Sequence, residues 1–200
     1  TSALFANIIL QSGADLVFCD IDSRSFCMDS LSLAEQIGPR TKAIIPVHLY
    51  GMPANMWEIA KVAGTIPIIE DASHALGATI GGLTIKTKAV GTFGEFGIFS
   101  FAPGNIISTV ADGGMIFCHD DKMAADLQHH IATTFNALLP EFHAATIVKQ
   151  LDHLRHHLMQ RRSLADYYNA RIKGLEIDPL LTPQFREEHY NPNYHQYTVT

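Results

Sequence analysis

Two apolar segments of this 200-residue sequence each end in polar residues, and this pattern strongly constrains the fold. The first, residues 67–70, runs into Glu70 and Asp71; the second, residues 97–101, contains Ser100 and leads into a Pro-Gly turn. Helical patterns separate such segments along the chain, which indicates crossover connections and a mostly parallel sheet. Because open α/β folds bind ligands at the carboxyl ends of their strands, we expect these polar groups at a binding edge.

The rest of the chain fits the same alternation of strands and helices. We predict that Trp57 is a core residue on one of these helices, together with Met56 and Ile59. The other predicted elements are strands at residues 15–20, 43–49 and 114–118, a hairpin through Gly81 and Gly82, and helices at residues 30–37, 54–63, from Asp121 onward and from 141 to 173.

The composition argues against two classes of partner. A net charge of −6 leaves no basic surface that could neutralise a nucleic-acid backbone. No apolar run approaches the roughly 20 residues that a membrane-spanning helix needs. Cys19, Cys27 and Cys118 are odd in number and show no CxxC spacing, so we expect buried free thiols in a reducing compartment, the cytoplasm.

Asp71 and His74 are the first candidates for chemistry. A carboxylate at the end of a buried strand can pair with a protonated pyridine nitrogen, which makes the ring an electron sink. Alternatively, Asp71 caps a helix that starts at Ala72. In such a helix His74 would share a face with Asp71, although it could equally be a partly buried histidine bonded to a backbone carbonyl.

Ser100 is a candidate for anion binding. Its hydroxyl and the backbone N–H groups of the following turn could hold a phosphate, or Ser100 could simply form the turn. The spacing of His153, His156 and His157 could place metal ligands on one helix face, but a solvated face is the preferred interpretation and we predict no metal site.

Several segments together resemble the DegT/DnrJ/EryC1/StrS family of pyridoxal-phosphate (PLP) sugar aminotransferases. The most specific are EDASHALGA at residues 70–78 and PVHLYG at 46–51, supported by GTFG at 91–94, DGG at 112–114 and YHQY at 194–197. The resemblance implies a fold-type I PLP transferase: a three-layer α/β/α large domain with a mostly parallel sheet, followed by a small α+β domain.

The resemblance also implies how the domains are arranged. Residues 1–140 would be the PLP-binding large domain without its N-terminal part, 141–175 a long linking helix, and 176–200 the start of the small C-terminal domain. We interpret the sequence as a fragment, because in this family a phosphate-binding Gly-Thr loop lies upstream of the segment that matches its start.

The resemblance assigns a role to each site residue. Asp71 would face the pyridine nitrogen of PLP, His74 would touch the ring or its phenolic oxygen, and Ser100 would hold the phosphate. Asn136 would reach the phosphate of a neighbouring subunit, which implies a homodimer with shared sites; alternatively, Asn136 simply forms a loop. The implied reaction transfers an amino group from glutamate to a keto group of a nucleotide-linked sugar.

Asn105 departs from the family at the position of the Schiff-base lysine. An amide nitrogen shares its lone pair with the carbonyl group, so Asn105 can neither link to the cofactor nor move a proton. Lys86 and Lys88 lie in a polar hairpin and are poor replacements. Whether Asn105 is engineered, degenerate or the product of a damaged gene stays open. Two alternatives remain: a non-catalytic pseudoenzyme that keeps the fold, and a PLP-dependent sugar dehydratase, which carries a histidine base at this position.

Overall fold

The computed structural model describes residues 3–81, 86–175 and 181–200. The helices are α1 (Ala3–Gln11), α2 (Ser30–Gln36), α3 (Met56–Ala63), α4 (Asp121–His130), α5 (Glu141–Leu151) and α6 (Leu154–Gly174). The strands are β1 (Ile69–Asp71), β2 (Thr79–Ile80), β3 (Lys88–Ala89), β4 (Phe96–Ser100), β5 (Gly114–Cys118) and β6 (Tyr190–Asn191). This alternation is the α/β arrangement that the sequence predicts.

The central sheet has the strand order β1-β4-β5. β1 and β4 are parallel, whereas β4 and β5 are antiparallel. Single parallel bridges join Ile44 to Ile68 and Val47 to Asp71, so residues 44–47 extend the sheet beyond β1. A second, antiparallel sheet has the order β3-β2-β6. It confirms the predicted hairpin, although residues 82–85 of its turn lie outside the described residues.

Side-chain caps fix the starts of three predicted helices. The carboxylate of Asp29 accepts a hydrogen bond from the N–H of Ser32 at the start of α2. The amide of Asn55 caps α3 through the N–H of Glu58, and Asp120 caps α4 through the N–H of Met123. These polar residues satisfy N–H groups that have no partner within the helix, and the helices at α2, α3 and α4 are confirmed.

The main core lies between α2, α3 and the two sheets. Met56, Ile59 and Ala63 form the buried face of α3 and pack in the same cluster as Phe99 of β4. The prediction for Trp57 is wrong: its side chain is 45% exposed and contacts the ring of Phe93 edge-on. The buried face of α3 follows the 56, 59, 63 spacing, which turns position 57 toward solvent.

Two further predictions differ from the structure. Residues 15–20 form no strand among the described residues; instead the N–H of Asp20 bonds the hydroxyl of Ser32. The predicted long helix from 141 is two helices, because Asp152 and His153 interrupt it. Near this break the side chain of Gln150 bonds both the N–H and the carbonyl of Ser108, so α5 is held by a different part of the molecule than α6.

The three cysteines are free, but only Cys27 is buried; Cys19 and Cys118 are half-exposed. Burial raises the pKa of the Cys27 thiol to about 12. Across residues 3–81, 86–175 and 181–200, no helix is both long and apolar enough to cross a bilayer.

Candidate functional site

Asp71 and Ser100 lie on the same face of the central sheet. Asp71 is paired in register with Ile98 of the neighbouring parallel strand, and paired residues direct their side chains to the same side. Ser100 is two residues further along β4, so it shares that face and lies about 7 Å further toward the strand end. At the carboxyl ends of β1 and β4, this face therefore presents the carboxylate of Asp71 and the hydroxyl of Ser100, about 7 Å apart along the strand direction. We call this part of the sheet the Asp71 edge.

Asp71 is nearly buried, at 8% exposure, and has few partners. One carboxylate oxygen, Oδ1, accepts a hydrogen bond from the N–H of Ser73 at 3.0 Å. Among the described residues no hydrogen bond reaches the other oxygen. Asp71 therefore keeps an acceptor available at the end of its strand.

The segment that follows Asp71 is not the helix that the sequence predicts. Residues 72–78 form two successive turns, in which Ala75 bonds back to Ala72 and Ala78 bonds back to Ala75. The N–H of Ala72 donates to the carbonyl of Ile98, which continues the sheet past the end of β1. The helix-cap interpretation of Asp71 is therefore wrong.

His74 stacks on a residue that the sequence prediction missed. Its ring lies parallel to that of His195, with centroids 4.3 Å apart and an interplanar angle of 13°. The Nδ1 atom of His74 is buried and has no hydrogen-bond partner among the described residues. A buried polar atom of this kind is one that a bound ligand or water can satisfy. YHQY was the only sequence signal that pointed toward His195.

The environment of His195 favours its neutral form. Burial lowers the pKa of His195, and the nearby His74 and Arg161 lower it further, to about 4. At neutral pH both nitrogens of this ring are therefore uncharged, one a donor and one an acceptor.

The segment 190–197 is fixed by a buried asparagine and two arginines. Asn193 is fully buried; its amide nitrogen donates to the carbonyl of Leu76 at 3.0 Å and its Oδ1 accepts the N–H of His195 at 2.8 Å. Arg161 donates to the carbonyls of Tyr194 and His195. Arg162 donates to the carbonyls of Asn191 and Pro192, and the bond from Asn193 to Leu76 holds this segment against the turns that follow Asp71.

Asn105 closes the turn that follows β4. Its Nδ2 atom donates to the carbonyl oxygen of Ser100 at 2.9 Å and to the hydroxyl oxygen of Ser100 at 3.0 Å. The Ser100 hydroxyl also accepts the N–H of Ala102 at 3.3 Å. Asn105, at the family's lysine position, thus donates to Ser100, the residue predicted to bind the phosphate.

Asn136 stands apart from the other predicted site residues. It is exposed, adopts a left-handed conformation with φ 48°, and follows a helical turn at Ile131–Phe135. The described hydrogen bonds and ring contacts do not join it to Asp71, His74 or Ser100. Its predicted role at a neighbouring subunit stays a prediction.

A second feature that the sequence prediction missed is the buried pair of Glu70 and His48. Both side chains are fully buried, and their Oε2 and Nε2 atoms are 3.0 Å apart. Glu70 also accepts hydrogen bonds from the N–H groups of Gly91, Phe93 and Gly94 at 2.8, 2.5 and 2.7 Å. Burial by itself raises the pKa of Glu70, but the hydrogen bond from His48, with the N–H groups of Gly94 and Gly91, brings it below its ordinary value.

Two cavities lie elsewhere in the described parts of the chain, and none of the predicted site residues lines them. One of about 300 Å³ lies between α6 and the last residues of the chain, lined by Asn169, Pro183, Gln184, Phe185, Arg186, Tyr194, Tyr197 and Thr198. The other, of about 120 Å³, lies near the start of α2 and includes Asp22, Arg24 and Tyr190.

Comparison with known proteins identifies the family. Residues 3–200 match the DegT/DnrJ/EryC1/StrS aminotransferase family. A UDP-N-acetyl-3-dehydro-alpha-D-glucosamine 3-aminotransferase from Acidithiobacillus ferrooxidans is 34% identical over 207 aligned positions, which cover 97% of this chain and 54% of that protein.

Solved structures agree on the fold. The aminotransferase TlmJ from Streptoalloteichus hindustanus matches with a TM-score of 0.86 and 26% identity, over 100% of this chain and 56% of that one. The E. coli GDP-4-keto-6-deoxy-D-mannose-3-dehydratase with bound hydrated PLP matches with a TM-score of 0.81 and 26% identity, over 100% of this chain and 57% of that one. The chain thus spans about half the length of the proteins it matches. It belongs to the DegT/DnrJ/EryC1/StrS aminotransferase family.

Proposed function

We propose that the protein containing this chain binds PLP at the Asp71 edge and derives from an aminotransferase that acts on a nucleotide-linked keto-sugar. The main support is that Asp71 and Ser100 share one face of the sheet at levels about 7 Å apart. PLP has its ring nitrogen at one end and its phosphate at the other, so the nitrogen can lie near Asp71 while the phosphate lies near Ser100.

The described residues fit this cofactor. Asp71 offers a carboxylate oxygen to the ring nitrogen, and the buried, unpartnered Nδ1 of His74 suits a polar group on the ring. The hydroxyl of Ser100 and the turn that follows it suit the phosphate. When bound, PLP acts as an electron sink for the substrate carbon that loses its proton, and amine transfer depends on this chemistry.

Asn105 limits what this chain can do. Its amide nitrogen has no available lone pair, and both its hydrogens are already directed at Ser100. The chain can therefore bind the cofactor without a covalent link, while the proton transfer that a lysine would perform has no group at this position. Lys88 is an unsuitable substitute, because its ammonium group lies over the ring of Phe93 at 4.6 Å.

Asn105 also favours a second candidate function, that of a non-catalytic partner. Such a protein would keep the fold and the cofactor edge but would assist an active subunit. The two candidates differ in one respect: only the enzyme gains amine transfer when a lysine is restored.

Further parts of the proposal concern the whole protein. We infer a homodimer in which the exposed Asn136 faces the partner's cofactor, glutamate as the amino donor, and a cytoplasmic location. We also retain the domain assignment of a large domain at 1–140, a helical link at 141–175 and the start of a small domain at 176–200.

The test uses the intact protein that contains this chain, purified with and without the change Asn105→Lys. We expect pyridoxamine 5′-phosphate to bind both forms, and only the lysine form to transfer an amine from glutamate to a nucleotide-linked keto-sugar, as product mass would show. Binding by both forms with transfer by neither would favour the non-catalytic partner. Failure of both forms to bind would refute the proposal.

A further inference from the structure

The carboxylate of Glu70 joins β1 to the turn that leads into β4. It accepts four hydrogen bonds: the Nε2–H of His48 and the N–H of Gly91 on one oxygen, and the N–H groups of Phe93 and Gly94 on the other. Each oxygen therefore has two donors. Both acceptor atoms are saturated at a site with no exposure to solvent.

Backbone contacts fix the protonation of His48. Its Nδ1 atom accepts the N–H of Ala54 at 2.9 Å, so the ring proton must be on Nε2, where it points at Glu70. A doubly protonated ring would turn a donor toward the Ala54 N–H. The pair is therefore a neutral histidine that donates to a carboxylate.

The turn at residues 91–94 packs against the sheet at backbone distance. A side chain at Gly94 would strike the carbonyl of Ile68, and one at Gly97 would strike the carbonyl of Gly91. The N–H of Glu95 bonds the carbonyl of Ile68 as well. The glycines of this turn thus allow its N–H groups to reach the Glu70 carboxylate.

Glu70 and Asp71 are neighbours on β1, so their side chains point to opposite faces of the sheet. We propose that Glu70 is a positioning residue for the cofactor edge: by anchoring residues 91–94 it sets the register of β4 on β1, and so the placement of Ser100 relative to Asp71. This inference rests on the proposed function and names the residue that holds the two cofactor ligands in place.

Glutamine should not replace Glu70, although it has the same shape. Each oxygen of Glu70 accepts from two donors, so the NH₂ group of a glutamine would point at two donors in either orientation of its amide. Either the N–H groups of Phe93 and Gly94, or those of His48 and Gly91, would lose their acceptor. The turn would then move away from β1.

The test compares Glu70→Gln with Glu95→Gln in the intact protein, using pyridoxamine 5′-phosphate as the probe. Glu95 is the matched control, because it directly follows this turn and is exposed, and a glutamine there can still accept the N–H of Ile68. Titration gives the affinity, and the absorption band of the bound probe reports the pH at which its ring nitrogen loses a proton. Asp71 beside that nitrogen should raise this pH.

We expect Glu70→Gln to weaken binding about tenfold or more, because the charge-assisted bond from the ring N–H to Asp71 is lost. The pH of ring deprotonation should fall by about one unit. Glu95→Gln should change neither. If Glu70→Gln does not fold, His48→Gln, which alters one of the four donors, should move both readouts in the same direction by a smaller amount.

Two results would overturn the inference in different ways. If the unaltered protein binds the probe and a folded Glu70 or His48 variant keeps both its affinity and its deprotonation pH, only the positioning role is wrong. If the unaltered protein does not bind the probe, the proposed function fails, and the positioning role fails with it.

Discussion

Glu70 and Asp71 are adjacent carboxylates on one strand, yet their surroundings differ sharply. Glu70 is fully buried and accepts four hydrogen bonds, whereas Asp71 lies at the sheet edge and accepts one, from Ser73. A saturated carboxylate has no capacity left for a ligand, and its contribution is to the fold. A carboxylate with an unused oxygen, three residues before a histidine whose Nδ1 is buried and unpartnered, suits ligand binding.

The same contrast extends to the two faces of the sheet. The Glu70 face carries Phe99 and the main core, and its glycines allow backbone-to-backbone packing. The Asp71 face carries Ser100, and the stacked rings of His74 and His195 belong to the segments that follow β1 and β6. Substitutions on the first face should therefore affect mainly stability, and those on the second mainly cofactor binding.

The largest expected effect on stability is that of Glu70→Gln. It should lower the free energy of unfolding by about 3 kcal/mol, since buried N–H groups lose their acceptor. Urea denaturation followed by circular dichroism measures this change. A loss below about 1 kcal/mol, the size expected of a surface change, would contradict the structural role of this carboxylate.

Gly51→Ala should be the next largest. Gly51 has a φ of 88°, and a methyl group there would collide with the side chain of Asn193, which holds His195 in place. We expect a loss of about 2 kcal/mol, from strain and overpacking together. Gly38→Ala is the control, because a methyl group at Gly38 meets open space. Equal stability of the two variants in the same urea assay would show that Asn193 does not pack against Gly51.

Asp71→Asn should show the opposite balance. The Ser73 N–H keeps an oxygen acceptor, so stability should change by less than about 1 kcal/mol. Affinity for pyridoxamine 5′-phosphate should fall about tenfold or more, because a neutral amide cannot form the charge-assisted bond with a protonated ring nitrogen. Isothermal titration calorimetry measures the affinity. Unchanged affinity would place the ring nitrogen elsewhere.

The smallest expected effect concerns pH. His195 stays neutral in the folded protein down to pH about 4, while in the unfolded chain it takes up a proton near its ordinary value of 6.5. Its contribution to stability is therefore complete above pH 6.5 and is lost as the pH falls from 6.5 toward 4. His195→Phe keeps a ring beside His74 and removes the titration, so its urea midpoint should fall less over this range. An identical pH dependence in both proteins would argue that His195 titrates normally in the folded state.

The sequence predicted those parts of the molecule that depend on local pattern or on family motifs. Capped, periodic segments gave α2, α3 and α4 correctly, and the motifs identified the family. The turns after Asp71 were missed, and the bond there from the N–H of Ala72 to the distant Ile98 is a contact that no local pattern reports.

The contacts that define the two faces could not be predicted for the same reason. His48 and Glu70 are 22 positions apart, and Asn193 bonds Leu76 across 117 positions. Gln150, near the break between α5 and α6, likewise bonds Ser108 across 42 positions. Such partners become visible only when the chain has folded.

The central claim is that the Asp71 carboxylate faces the ring nitrogen of a bound PLP-type cofactor. A crystal structure of the intact protein soaked with pyridoxamine 5′-phosphate tests it most directly. We predict a carboxylate oxygen of Asp71 at about 2.7–2.9 Å from the ring nitrogen, with the phosphate at the Ser100 turn. A cofactor bound elsewhere, or a ring nitrogen without contact to Asp71, would contradict the account.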